Sequence, residues 1–217
     1  MPAEELHARL DAGLGRLGVT LDEPVRQGLI DYVLLLAKWN KAFNLTAIRD
    51  PAQMVTRHLL DSIAVAPHLA EGRVIDVGTG PGLPGIPLAL VFPERRFVLL
   101  DSNSKKTRFL VQAKAALGLD NVEVVHARVE NHRPERLFDT VITRAFASLP
   151  DILKSSCHLL APDGSFLAMK GLVPHEELAA LPAGFHVVEI IRLVVPGLDE
   201  EQRHLVRISA NGMPEKP

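Results

Sequence analysis

The chain has 217 residues, 47% hydrophobic and 23% charged, with a formal net charge of −2 at pH 7; this balance excludes a disordered chain and argues against a dedicated, strongly basic nucleic-acid binder. A single cysteine excludes an internal disulfide and a cysteine-based zinc cage. The opening Met1-Pro-Ala-Glu-Glu-Leu-His carries acids where a secretory signal needs basic and then apolar residues, and no apolar run approaches the roughly 20 residues of a membrane span, so a reducing cytoplasm is the expected setting.

Residues 1–70 read as helical. Over 25–39 the apolar residues Val25, Leu29, Ile30, Val33, Leu34, Leu36 and Ala37 fall at helical spacing. Asp22 or Glu23 starts that helix, with Pro24 in its first turn. Trp39 and Phe43, four apart, predict a hydrophobic contact at its end. A second helix is predicted over 51–69, with Val55, Leu59, Ile63 and Ala66 on one side and Asp50 as N-cap.

From residue 73 short runs rich in Val, Ile, Leu and Phe predict strands at 73–77, 96–100, 122–126, 140–143 and 165–169. Helical segments separate them at 83–92, 105–117, near 131–136 and at 149–160. Strands alternating with helices imply parallel strands joined by right-handed crossovers, hence an α/β, doubly wound, Rossmann-like sheet. Two further extended runs, 186–195 and 204–209, are joined by a short Pro-Gly-Leu-Asp-Glu-Glu connection and predict an antiparallel pair at one sheet edge. Cys157, read on the 149–160 helix beside Leu153 and Leu160, is expected to be buried and unreactive. No linker interrupts the chain, so 1–70 is expected as a helical extension packed on a 71–211 domain, with 212–217 as a tail.

The strongest local signal is Arg73-Val-Ile-Asp-Val-Gly-Thr-Gly-Pro-Gly-Leu-Pro-Gly. A buried strand runs into Gly78, Gly80 and Gly82, and a helix follows. Alternate glycines turn the backbone tightly and admit a ligand without Cβ clashes, while amides at the helix start favour polar or anionic groups. Asp101 closes the next strand, where an acid accepts hydrogen bonds from ribose hydroxyls. That geometry suits adenosine cofactors in general, so NAD stands as an alternative, as does a turn that binds nothing. The dinucleotide fingerprint places its third glycine where Leu83 stands. The observed Asp76-x-Gly78-x-Gly80-x-Gly82 instead looks like motif I of class I methyltransferases.

Several segments are more specific. Trp39-Asn-Lys-Ala-Phe-Asn-Leu-Thr, Arg57-His-Leu-Leu-Asp-Ser, Gly78-Thr-Gly-Pro-Gly-Leu-Pro-Gly-Ile-Pro-Leu-Ala, Thr143-Arg-Ala-Phe-Ala-Ser-Leu and Phe166-Leu-Ala-Met-Lys-Gly together resemble the bacterial ribosomal RNA small subunit methyltransferase G family, formerly the glucose-inhibited division protein B family. Their order and spacing match over residues 30 to 210. The resemblance implies a seven-stranded class I methyltransferase fold. It also implies methyl transfer from S-adenosylmethionine, with S-adenosylhomocysteine as product, to N7 of a guanine in the 530 loop of 16S ribosomal RNA, nucleotide 527. Cofactor contacts carried over are Gly78, Leu83, Asp101, the Val129-Glu130 pair and Arg144. Without the family, Glu130 reads as a solvated acid.

Guanine N7 has an in-plane lone pair and no hydrogen, so its methylation needs alignment rather than a general base. Arg144 and Lys170 end adjacent predicted strands at the ligand edge of an open sheet and are the residues expected to act on the substrate, at O6 or the backbone, because a cation against N7 would oppose the charge developing there. Arg57, His58, Arg128, Lys170, Arg203 and His204 are expected RNA contacts. His58 can equally bond locally, and Arg203 can equally be an edge-strand charge. Lys105, Lys106 and Arg108 read as a solvated helix face. The nine histidines lack metal-ligand spacing, so no metal is expected. A methyltransferase with a small-molecule or protein substrate and a non-catalytic RNA-binding relative remain as alternatives. The expected partner is 16S ribosomal RNA or the small ribosomal subunit, with no membrane, and the expected state is a monomer.

Overall fold

A computed structural model describes residues 3–144 and 147–210. The 212–217 tail lies outside the described residues, as do Ala145 and Phe146 of the Thr143-Arg-Ala-Phe-Ala-Ser-Leu segment. Two helices come first, α1 (Ala3–Leu17) and α2 (Glu23–Phe43). Asp22 in extended backbone precedes α2 and Pro24 sits in its first turn. The Trp39 and Phe43 rings meet near its end, with centroids 5.2 Å apart.

The stretch predicted as one helix over 51–69 is helical but irregular. It comprises α3 (Pro51–Met54), a π-helical turn Val55–Leu60, α4 (Asp61–Ile63) and a 3-10 turn Ala66–His68. Asp50 caps it, accepting from the Ala52 amide at 3.1 Å. A π-helical turn carries an extra residue and opens the regular ladder of backbone bonds, as helices often do at functional sites. α1 lies against this turn so closely that a Cβ on Gly13 would come within 2.3 Å of Leu60 Cδ1.

The α/β part follows as β1 (Val74–Val77), α5 (Gly85–Val91), β2 (Phe97–Asp101), α6 (Ser104–Leu117), β3 (Val122–His126), β4 (Phe138–Arg144), α7 (Leu149–Ser156), β5 (Leu160–Lys170), α8 (His175–Ala179), β6 (Phe185–Arg192) and β7 (His204–Ala210). The sheet has seven strands in the order β3-β2-β1-β4-β5-β7-β6. The first five in that order run parallel, and β7 is antiparallel to both β5 and β6. This is the expected mostly parallel sheet with an antiparallel edge pair.

Successive strand residues supply opposite faces, as the period of two requires. Val74, Phe97 and Leu99 share a buried cluster with Leu6, Leu10 and Leu14 of α1, Leu29 and Leu36 of α2, and Phe109 of α6. Ile75, Val77, Val98 and Leu100 join Leu149, Ile152 and Leu153 of α7 on the other face. Helices therefore cover both faces. Strand order reverses between β1 and β4, which opens the crevice where such sheets bind ligands.

Four local expectations are corrected. The short helix near 131–136 is a 3-10 turn at Val129–Asn131. β5 begins at Leu160 rather than 165, and α7 stops at Ser156, followed by a 3-10 turn over Cys157–Leu159. That change of register swings Cys157 off the buried face, leaving it half-buried with its thiol 3.8 Å from the Lys154 carbonyl.

Candidate active site

β1 delivers Asp76 beneath the glycine turn. Its carboxylate is fully buried: Oδ2 accepts from the Thr79 hydroxyl at 2.6 Å and from the Gly85 amide at 2.9 Å, while Oδ1 has no partner. Burial pushes the Asp76 pKa up to about 6, against the opposing pull of those two bonds. Gly80 turns through a φ of +62°, and the nearest atom to a Cβ there would be Lys106 Nζ at 3.9 Å, so the turn is open on that side. Asp101, at the end of β2, accepts from the Gly80 amide at 2.9 Å and from the Asn103 amide at 2.8 Å. Two backbone donors thus fix the carboxylate, and each oxygen keeps a lone-pair direction for a hydroxyl. From the helical layer that also holds α5 and α6, Tyr32 of α2 donates to the Pro81 carbonyl at 2.9 Å, tying the turn to the N-terminal helices. An open turn, an oriented carboxylate and a buried oxygen without a partner fit an adenosine cofactor with a positively charged tail. Val129 is buried after β3 with Glu130 exposed beside it. Leu83 faces the core, and its amide is taken by the Thr79 carbonyl at 2.9 Å.

Beside this turn, at the carboxyl ends of β4 and β5, lies a cavity of about 310 Å³ lined by Ile48, Arg57, His58, Asp61, Arg144, Met169, Lys170, Gly171, Leu193, Arg203 and His204. Asp61, only 6% exposed, is its anchor: Arg144 Nη1 donates to Oδ2 at 3.0 Å and Arg203 Nε lies 3.3 Å from Oδ1. Arg144 also donates to the Arg57 carbonyl at 3.1 Å, a backbone oxygen in the π-helical turn. Arg57 and Arg203 both bind Glu201, Arg203 at 2.8 Å. Lys170 Nζ donates to Glu177 at 2.8 Å and to the Ala147 carbonyl at 3.2 Å.

His58 is buried on the cavity wall, with Nε2 3.0 Å from the Thr46 hydroxyl. Burial, followed by the charge of Arg144, lowers its pKa to about 4. It is therefore neutral near pH 7, an environment that suits the local bond rather than a phosphate. His204 Nδ1 is bonded to the Gly171 carbonyl at 2.7 Å.

The structure thus brings Arg57, His58, Arg144, Lys170, Arg203 and His204 to one cavity. Arg128 is not among the lining residues and lies exposed after β3. Sequence reasoning gave no role to Asp61, Glu177, Glu201, Tyr32 or Gly85. Asp61 stands in the quoted Arg57-His-Leu-Leu-Asp-Ser segment, four residues from Arg57, but that spacing reads equally as a surface ion pair. Among the described residues no three His, Cys, Asp or Glu side chains gather where they could hold a metal, and no helix is long and apolar enough to cross a membrane.

Comparison with known proteins agrees with this geometry. The family model described as rRNA small subunit methyltransferase G matches residues 26–206. The ribosomal RNA small subunit methyltransferase G of Shewanella amazonensis is 54% identical over 203 residues, 94% of this chain and 98% of that one. Its counterpart from Hydrogenovibrio crunogenus is 56% identical over 201 residues, 93% of each. Among solved structures, a SAM-dependent methyltransferase from Thiobacillus denitrificans in complex with S-adenosyl-L-homocysteine superposes with a TM-score of 0.53 at 14% identity, covering 82% of this chain and 98% of that one.

Proposed function

The chain belongs to the ribosomal RNA small subunit methyltransferase G family, and on that premise we propose that it methylates N7 of a guanine in the 530 loop of 16S ribosomal RNA, nucleotide 527. Membership makes it an S-adenosylmethionine-dependent rRNA methyltransferase. The finer reading, a guanine-N7 acceptor in 16S rRNA or the small subunit and a monomeric enzyme of the cytoplasm, is our own. So is the assignment of 71–211 as the catalytic domain and 1–70 as its extension.

The observation that carries it is the set of cations, Arg57, Arg144, Lys170 and Arg203, on one cavity beside an open glycine turn. When bound, S-adenosylmethionine supplies a methyl on a sulfonium sulfur, which keeps the C–S electron pair as the N7 lone pair forms the new bond. Gly78 and Gly80 would give it room, Asp101 would hold the ribose, and Val129 and Glu130 would border the adenine; Gly82, where a Cβ would meet Ile86 Cδ1 at 2.5 Å, and Leu83, whose amide is bonded to the Thr79 carbonyl, shape the turn from its core side. Asp76 and Asp101 offset its positive charge. No proton has to leave N7, and no side chain here is asked to take one: Arg144 and Lys170 are cations held by Asp61 and Glu177. They orient guanine O6 and the strand, leaving N7 unpaired.

The test uses small subunits and 16S rRNA from cells lacking this protein, incubated with the enzyme and labelled S-adenosylmethionine. N7-methylguanine, detected by strand scission after reduction and aniline treatment, is expected at one site in the 530 loop. Lys170→Ala is expected to lower the single-turnover rate about 100-fold, the scale of a lost alignment, with little change in S-adenosylhomocysteine affinity, whereas Arg144→Ala, at a residue carried over as a cofactor contact as well, is expected to lower both. Methyl on another atom, or a rate that needs one deprotonated side chain, would overturn the reading.

A further inference from the structure

The two carboxylates that neutralise the arginines differ in kind. Asp61 sits on α4 at 6% exposure, under Arg144 and Arg203. Glu201 lies at 38% exposure in the connection between β6 and β7, bonded to two of the arginines that line the cavity. Both nitrogens of the Arg57 fork reach it, one oxygen each, and Arg203 Nη2 adds a third bond to Oε2 at 2.8 Å. Hydrogen bonds from Arg57 and then Arg203 hold its pKa below the usual carboxylate range, so it is an anion at neutral pH. A planar, two-oxygen anion gripped by converging guanidinium forks is the arrangement in which arginines also grip a phosphodiester.

From this geometry we propose that Glu201 occupies the seat of a backbone phosphodiester of the RNA strand and is exchanged for it on binding. The inference rests on Arg57 and Arg203 being RNA-facing groups of the methyltransferase site proposed above. Asp61 cannot be the exchanged anion, because it is buried beneath the arginines and sets their direction. Glu201 can leave: it belongs to a connection rather than a strand, and at 38% exposure its carboxylate already borders water, unlike that of Asp61. The exchange keeps Arg57 and Arg203 pre-aligned and their charge balanced until a strand arrives. It also makes small anions poor competitors, since an intramolecular carboxylate already fills the seat.

Phosphate contacts carry no sequence information, so removing the charge should help any RNA strand. Binding of protein-free 16S rRNA and of polyuridylate is measured at fixed salt for the wild type and Glu201→Gln. The variant is expected to bind both about 3- to 10-fold more tightly, the scale of breaking exposed arginine–carboxylate pairs. Glu201→Asp, which keeps the anion, should stay within about twofold of the wild type, and so should Asp199→Asn, whose carboxylate pairs with Arg16 instead. Weaker or unchanged binding by Glu201→Gln on either RNA overturns the proposal and makes Glu201 an orienting group. An equal gain in Asp199→Asn also overturns it, by assigning the effect to bulk charge. Glu201→Ala, with thermal unfolding, guards against a folding defect and is held to the same outcomes. A wild type that fails to methylate 16S rRNA while Glu201→Gln still tightens on polyuridylate removes the proposed substrate and keeps the phosphate seat.

Discussion

Burial shifts two ionisable side chains of this fold in opposite directions. Asp76 rises from 3.8 to about 6 because burial penalises its charge. The neutral form is thus the one the fold favours: its stabilisation is full below the ordinary value and is lost as pH rises through 6. His58 falls from 6.5 to about 4, again chiefly through burial, so its stabilisation is full above 6.5 and lost as pH drops through 4. The windows overlap with opposite signs, and the wild type is expected to show a muted slope between them. Asp76→Asn removes one arm. On going from pH 7 to about pH 4 it should lose about 2 kcal/mol more than the wild type in urea unfolding, the size of a two-unit carboxylate shift. Parallel pH profiles would refute this account. The residues carrying these effects stood plainly in the sequence, Asp76 in motif I and His58 in its own segment, yet their protonation did not. Periodicity and motif spacing say which residues approach one another, but not how dry the place is or that a Thr46 hydroxyl waits for His58. Asp61 and Glu201 were opaque for the same reason: an acid in a helix or a loop looks solvated until the fold brings arginines to it.

At the scale of elements, the glycine turn is held from two sides. Tyr32 reaches it from α2 through the Pro81 carbonyl. Tyr32→Phe keeps the ring and removes the donor, so S-adenosylhomocysteine affinity measured by calorimetry should fall about fivefold, near 1 kcal/mol, the worth of one buried hydrogen bond. Unchanged affinity would mean the turn holds its shape unaided. At the turn's other end Gly85 starts α5 where a Cβ would come within 2.2 Å of Leu99 and 2.9 Å of the Asp76 carboxylate. Gly85→Ala is therefore an overpacking substitution, expected to cost about 1–3 kcal/mol of stability and to weaken cofactor binding through Asp76; a neutral result by denaturant melt would contradict the close approach. Strands β1 to β4 were legible as short apolar runs, β1 and β2 being buried at every position, and helix α2 from its period of 3.6. The π-helical turn at Val55–Leu60 was not, because one extra residue hardly disturbs an apolar stripe while it redirects a backbone carbonyl. That carbonyl, on Arg57, is one of the groups holding Arg144.

For the molecule as a whole, the N-terminal helices and the sheet share one buried cluster. Trp39, the only tryptophan, packs on Phe109 of α6 with ring centroids 5.7 Å apart, so its fluorescence reports on the contact between the two regions. Fluorescence and far-ultraviolet circular dichroism are expected to give coincident urea transitions; a fluorescence change that precedes the loss of strand signal would show that the first 70 residues unfold on their own. The layered architecture and antiparallel edge were readable from the alternation of elements. Which cations share a cavity was not, since that depends on the order of strands in space and on a connection from β6 to β7 that folds back against α1 and the π-helical turn.

The tight seat of Gly13 on Leu60 gives the molecule a remote lever. Any side chain at that position would have to shove Leu60 aside, and Leu60 closes the same irregular coil that presents Arg57. Remoteness from the cavity is thus a poor guide to tolerance: a lone methyl on the first helix, touching none of the side chains that line the cavity, presses on the coil that carries Arg57.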